Sequence, residues 1–282
     1  MLLSSNMIRL YKTYGIQKTF DLFSQFGIQG MDFNNDAEEY YTAEHDQAFY
    51  TELKNYAEEK GIKICQAHAP FPSAFFDEGK NPRRFEEIVQ SMQHAAWLGA
   101  PMIVVHPAFH KEWEGNEEEL FAFNLNFYQS LIPFARQFGI KIAIENMAKD
   151  SVNSTPERFN KLFDALNDSV FTVCLDVGHC LRRNVGPAQA ILKIGDRLVN
   201  GCTHIHDNSG LKDQHTLPFY GIADWESIMK SLAQIGYQGD LSYEAFGFLK
   251  NVPEPLYESG LEYMVKVGRY LISRFEYYKK NG

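Results

Sequence analysis

The sequence predicts a single α/β domain, a (β/α)8 barrel of the TIM-barrel type. Three observations carry that expectation. An amphipathic stretch, a glycine and a short apolar run recur as one phrase: "FSQFGIQGMDF", "AEEKGIKICQAH", "AAWLGAPMIVVHP", "ARQFGIKIAIEN" and "LAQIGYQGDLSYEAF". Glycine suits the residue after a helix, where φ turns positive, and an apolar run after it suits a strand buried on both faces. Eight such runs alternate with helical stretches, and eight alternating units imply a parallel sheet closed on itself. No phosphate-binding glycine loop follows the first run ("SSNMIRL"), which disfavours an open doubly wound sheet. At 282 residues, without a linker or low-complexity segment, the chain reads as one barrel domain over 1–282.

In order, the expected strands are Leu2–Ser4, Gly30–Phe33, Lys63–Ala67, Met102–His106, Lys141–Asn146, Thr172–Val177, Gly201–His206 and Leu241–Ala245. Thr155-Pro156-Glu157 supplies a cap, a first-turn proline and an early acid for one helix. Asp224 caps another, in which Ile228, Leu232 and Ile235 share a face. A long helix from about Tyr257 to Tyr277 closes the chain.

Composition narrows the function. The net charge of −9 argues against a protein built to grip nucleic-acid phosphates, so nucleic acid is not the expected partner. The cysteines at 65, 174, 180 and 202 are widely spaced, and three sit in apolar runs; buried free thiols in a reducing compartment are the simplest reading. The opening "MLLSSNMIRLYKTYG" has too short an apolar run for a signal peptide, and no stretch approaches the roughly 18 apolar residues of a membrane span. A cytoplasmic protein without a membrane partner is expected, and the sequence leaves a homo-oligomer open.

In a barrel of this type the chemistry gathers at the C-terminal ends of the strands. Those ends carry His68 ("QAHAP"), His106 ("VVHPA"), Glu145 ("IAIENM"), Asp176 and His179 ("CLDVGH"), His204, His206 and Asp207 ("THIHD"), and Glu244 ("LSYEAF"). His215 follows in the next loop. A lone histidine at a strand end is more often a packing residue than a ligand. Several carboxylates and imidazoles in one barrel mouth are different, because unpaired buried charge costs several kcal/mol per group and a divalent cation removes that cost. Glu145, Asp176, His204 and Glu244 come from four consecutive strands, and alternation puts Ala143, Cys174, Cys202 and Ser242 on their faces. Three oxygens and one nitrogen suit Mn²⁺, Mg²⁺, Co²⁺ or Zn²⁺.

At these residues the chain resembles the xylose-isomerase-like barrel superfamily, which includes sugar and sugar-phosphate isomerases and epimerases, inosose isomerases and endonuclease IV-type AP endonucleases. The resemblance runs over essentially the whole chain and rests on "IENM", "LDVGH", "HIHD", "DQHTLPFYGIADW" and "SYEAF". It implies one divalent metal on Glu145, Asp176, His204 and Glu244, with the two glutamates also moving a proton on and off the reacting carbon. It implies substrate contacts from His179 and His68; His106, His206 and Arg182 join them as candidates by position. The endonuclease branch implies further metals, for which His68, His106, His179, Asp213 and His215 are the counterparts. Asp207 reads as a partner of a ligand. One departure is plain: the arginine that the best-known ketose epimerases carry six positions after the metal histidine is Gly210 here.

The sequence therefore favours an isomerase or epimerase of a small sugar, sugar phosphate or cyclitol. A multinuclear zinc phosphoesterase and a metal- or sugar-binding barrel without turnover are the alternatives. Phe71, Phe75, Phe76, Phe109, Trp113, Phe219, Tyr220 and Phe246 are expected near the mouth and suit a small polar ligand. Basic residues there are sparse, Arg182-Arg183 and Lys212, and suit a single phosphate or carboxylate.

Overall fold

The computed structural model describes residues 1–6, 8–33, 45–74, 81–108, 117–148 and 151–282. Its elements are β1 (Leu3–Ser5), α1 (Ile8–Tyr14), α2 (Ile16–Phe26), β2 (Gly30–Phe33), α3 (Gln47–Glu59), β3 (Lys63–His68), α4 (Asn81–Trp97), β4 (Met102–Val105), α5 (Glu117–Phe138) and β5 (Lys141–Glu145). There follow α6 (Pro156–Leu166), β6 (Phe171–Asp176), α7 (Val177–Arg182), α8 (Pro187–Ile194), β7 (Cys202–His204), α9 (Trp225–Gln234), β8 (Leu241–Tyr243) and α10 (Tyr257–Asn281).

All eight strands are parallel neighbours in the order β7-β6-β5-β4-β3-β2-β1-β8. The seam between β7 and β8 is closed through one residue beyond β7: Ile205 N donates to Ser242 O at 2.7 Å and Ile205 O accepts from Glu244 N at 3.2 Å. The result is the (β/α)8 barrel. Its strands are short, and several stop before the expected ends. β4, β5, β7 and β8 end at Val105, Glu145, His204 and Tyr243 rather than at His106, Asn146, His206 and Ala245. The residues past those points leave the ladder, which frees their side chains to turn into the mouth.

The glycine phrase behaves as its chemistry requires: Gly27, Gly61, Gly99, Gly139 and Gly236 have φ between +66° and +84°. Thr155 and Asp224 cap α6 and α9, accepting from Arg158 N and Ser227 N. In α9, Ile228 and Leu232 are buried. α10 runs past Tyr277 to Asn281 and buries Leu261, Met264, Leu271 and Phe275. It approaches β1 so closely at Gly268 that a Cβ there would lie 2.5 Å from Leu3 Cδ1.

Two apolar layers result. The larger one packs the helices on the outer strand faces. The smaller one, Met102, Val104, Ala143, Cys174 and Cys202, forms a plug inside the barrel. Ala143, Cys174 and Cys202 thus point inward, as alternation from Glu145, Asp176 and His204 requires. This plug is the floor of the site above it. Among the described residues, no helix is long and apolar enough to cross a membrane.

Candidate metal centre and active site

The centre of the mouth is His204. Its Nδ1 lies 3.4 Å from Glu145 Oε1, 3.7 Å from Asp176 Oδ2 and 3.5 Å from Glu244 Oε2. Four side chains predicted to meet do meet, because β5 to β8 are adjacent around the barrel and each delivers one residue at or just past its end. Glu145 is 1% exposed and Glu244 is 9% exposed, so the carboxylates span from the floor towards the opening.

Local structure fixes each member. Asp176 ends β6 and caps α7: its Oδ1 accepts from His179 N at 2.6 Å, while Oδ2 lies 3.0 Å from His206 Nε2 and 3.7 Å from His204 Nδ1. Asn146 braces the same point, donating through Nδ2 to Asp176 O at 2.9 Å and accepting Asp176 N at 2.7 Å. The Glu145 carbonyl accepts from Asn153 Nδ2. The Glu145 carboxylate has His179 Nδ1 at 3.1 Å from Oε1 and His106 Nε2 at 2.9 Å from Oε2. Burial opposes its charge, but His204 and His106 outweigh burial and hold its pKa well below the carboxylate range. For His204, burial opposes protonation and the carboxylates of Glu145 and Glu244 outweigh it, so its pKa stands well above the histidine range.

His204 Nδ1 is buried with no hydrogen-bond partner, although three carboxylates face it. A divalent cation fits that arrangement: it satisfies the orphaned nitrogen and neutralises the carboxylates together.

Farther out, Asp213 Oδ2 lies 3.3 Å from both His179 Nε2 and His215 Nε2. Burial would raise the Asp213 pKa, but the two imidazoles hold it far below the usual range, and the His215 pKa rises to about 9 against burial through Glu244 and Asp213. His68, His106 and Glu145 form a second trio of potential ligands, and His179, Asp213 and His215 a third. All five residues suggested for additional metals therefore reach the same mouth.

Two further substrate-contact candidates have protein partners of their own. His206 is fully buried, with Nε2 3.0 Å from both oxygens of Asp176 and its ring stacked on His215, and with His215 and Glu244 it forms a further trio of potential ligands. Arg182 donates from Nη1 to Gly210 O at 2.9 Å, tying α7 to the loop after β7. The loop turns at Gly210 (φ +75°), the residue whose carbonyl takes that tether. Asp207 turns away from the centre and receives Asn208 N, Phe219 N, Ala223 N and Trp225 Nε1. Of the aromatic residues, Phe71 meets His106 edge-on and Phe246 stacks on His215. Phe219 and Tyr220 instead pack against Tyr270 and Tyr263 of α10, outside the mouth. Phe75, Phe76, Phe109 and Trp113 lie outside the described residues.

Sequence reasoning missed Asp32 and Gln66. Asp32 is fully buried at the C-terminal end of β2, with Oδ1 3.1 Å from His68 Nδ1. Gln66 Nε2 lies 3.0 Å from His204 Nε2. The strand-end rule that marked His68 and Glu145 also applies to the acid in "GMDF".

The family described as xylose isomerase-like TIM barrel matches residues 20–267. The chain belongs to that family. A protein of Sinorhizobium fredii, itself uncharacterized, is 27% identical over 255 residues, covering 82% of this chain and 81% of that one. An inosose dehydratase of Yersinia enterocolitica is 24% identical over 253 residues, covering 78% and 79%. Among solved structures, a D-tagatose 3-epimerase-like protein superposes with a TM-score of 0.79 at 20% identity, over 100% of this chain and 99% of its own. The IOLI protein, solved with a bound zinc atom, gives 0.74 at 18% identity over 99% of both chains. These structural likenesses are likenesses of fold.

Proposed function

We propose that the protein is a divalent-metal-dependent isomerase or epimerase acting on a small sugar, sugar phosphate or cyclitol ketone, by removal of a proton beside the carbonyl. The observation that carries this reading is the convergence of Glu145, Asp176 and Glu244 on the unpartnered Nδ1 of His204. In it, those four residues hold the cation, which supplies Lewis acidity to the ketone when bound. Glu145 and Glu244 stand on strands three apart and approach a bound carbon from different sides. One takes the proton as a base and the other returns it, which inverts the centre. His106 and His179, nearer the opening, and His68, deeper in the same cavity, hold substrate oxygens. The apolar plug of Met102, Val104 and Cys174 keeps bulk water from entering beneath.

The relatives named inosose dehydratases support the same opening step, since loss of water beside a ketone also begins with proton abstraction next to the carbonyl. The test is incubation of the metal-loaded protein in heavy water with a panel of ketoses, ketose phosphates and inososes. Deuterium entering the carbon next to the carbonyl, with a new stereoisomer, supports the epimerase; deuterium entry followed by loss of water places the protein with the dehydratases. No exchange with any panel member, in protein that holds metal, would sink the reading.

A multinuclear phosphoesterase is the second reading, favoured by Asp213 standing equidistant from His179 and His215. Elemental analysis separates the two. One ion per chain favours the isomerase, and two or three zinc ions with cleavage of an abasic-site duplex favour the phosphoesterase. Metal without turnover of either kind of substrate would leave a binding protein.

A further inference from the structure

The two histidines nearest the floor of the site share a partner that lies outside the candidate ligand set. Asp32 reaches this place through an irregularity in the sheet. Met31 pairs with Ile64, but the next residue, Asp32, pairs with Gln66, so one residue of β3 is skipped. Without that slip Asp32 would stand beside Cys65. With it, Asp32 and Gln66 stand side by side beneath His68 and His204, whose rings are stacked 4.7 Å apart at 18°.

The contacts assign a direction to each imidazole. Asp32 Oδ1 lies 3.1 Å from His68 Nδ1, so that nitrogen carries the proton and Nε2 presents its lone pair upward, 3.9 Å from Glu145 Oε2. The other oxygen, Oδ2, is buried, has no hydrogen-bond partner and lies 3.6 Å from His204 Nε2. His204 must offer a bare Nδ1 to bind a cation, so its proton must then sit on Nε2. Gln66 Oε1 can accept that proton once its amide turns by half a rotation, and the charge of Asp32 Oδ2, 3.6 Å away and just beyond hydrogen-bond distance, favours it on that side of the ring.

We propose that Asp32 is the positioning residue of the centre, its single carboxylate holding both His68 and His204 in the tautomers that aim their lone pairs at the carboxylate cluster. Gln66 assists His204 alone. This rests on the metal reading above for His204, whereas the His68 half stands on geometry independent of any metal. The arrangement joins opposite sides of the barrel, since Asp32 and His68 come from β2 and β3 and His204 from β7. Partners of this kind that orient ligands typically change metal affinity by about 10- to 100-fold when replaced.

The experiment has one readout that needs no variant. Long-range ¹H–¹⁵N correlation spectra of the wild-type protein, metal-stripped in mildly alkaline buffer and then loaded with Zn²⁺, report the tautomer of each ring. Protonated Nδ1 on His68 in both samples, and protonated Nε2 on His204 in the loaded one, are expected. Protonated Nε2 on His68 would overturn the proposal. In parallel, Co²⁺ is titrated into stripped wild type, Asp32→Asn and Gln66→Met, following the visible absorption bands. Asp32→Asn is expected to weaken Co²⁺ binding about 10- to 100-fold and to mix the His68 tautomers, whereas Gln66→Met leaves His68 unchanged. Unaltered affinity and tautomers in a folded Asp32→Asn variant would also overturn it. Wild type that binds neither Zn²⁺ nor Co²⁺ would instead sink the metal reading, and the His68 tautomer would still decide the role of Asp32 towards that ring.

Discussion

Glu145 and Glu244 are chemically alike but differ in setting. Glu145 is enclosed by His106, His179 and His204, whereas Glu244 sits at the opening beside His215, whose Nδ1 lies 3.5 Å from its Oε2. On the proposed reading, removing either charge while keeping the shape removes one of the two acid–base groups. Glu145→Gln and Glu244→Gln are each expected to slow deuterium exchange into the turned-over substrate by about 10²- to 10⁴-fold, as read by NMR. Exchange at the wild-type rate in either variant would remove that glutamate from the proton path. The thiols give a second check at this scale. Burial lifts the Cys180 pKa to about 12, and it raises those of Cys65 and Cys174 as well. All four cysteines are buried and free, so native protein is expected to resist a disulfide reagent that labels every thiol after denaturation. Fast labelling of any of them in native protein would contradict this packing. Glu145, Asp176, His204 and Glu244 were legible because each ends an apolar run. The Asp32 contact was not, because its partner His68 lies 36 residues away and the alignment depends on a one-residue slip that no local pattern displays.

Among the elements, the loop between β7 and α9 carries the most organisation for its length. Asp207 pairs with Thr216 in a short antiparallel bridge while its carboxylate gathers three backbone N–H groups and the Trp225 indole. This turns the loop so that Asp213 and His215 face His179. Asp207→Ala leaves those donors unsatisfied, the indole among them deeply buried, and is expected to destabilise the fold by about 3 kcal/mol, measured by urea denaturation. A loss below about 1 kcal/mol would mean that the loop is held by other contacts. The helix and strand pattern was readable here because glycine, cap and apolar period all agree. The loop's direction was not: "HIHDN" shows two histidines, an acid and an amide, but only the folded loop shows that His206 meets Asp176 while Asp207 gathers the loop's own N–H groups and the Trp225 indole. Phe219 and Tyr220 were misplaced for the same reason, since their partners Tyr270 and Tyr263 belong to the final helix.

At the scale of the whole molecule, the candidate centre spans the seam that closes the barrel. β7 and β8 are joined by few backbone bonds, those through Ile205, while His204 and Glu244 approach each other directly above them. On the proposed reading, a cation shared by side chains from β5, β6, β7 and β8 would therefore also clamp the barrel shut. Binding that favours the folded state adds about 2.7 kcal/mol at a free metal concentration 100 times Kd, which corresponds to a rise in Tm of roughly 4–6 °C for a chain of this size. Chelation is expected to lower Tm by that amount, and Mn²⁺, Co²⁺ or Zn²⁺ to restore it. Hydrogen exchange should localise the effect: without metal, the amides of Ile205 and Glu244 exchange faster, while those of β4 and β5, paired at four positions from Met102–Lys141 to Val105–Ile144, keep their protection. A uniform loss of protection would mean that the metal stabilises the molecule without acting on the seam. An unchanged Tm after complete metal removal would mean that the carboxylates and imidazoles balance one another unaided, and that the centre is built for ligand recognition alone.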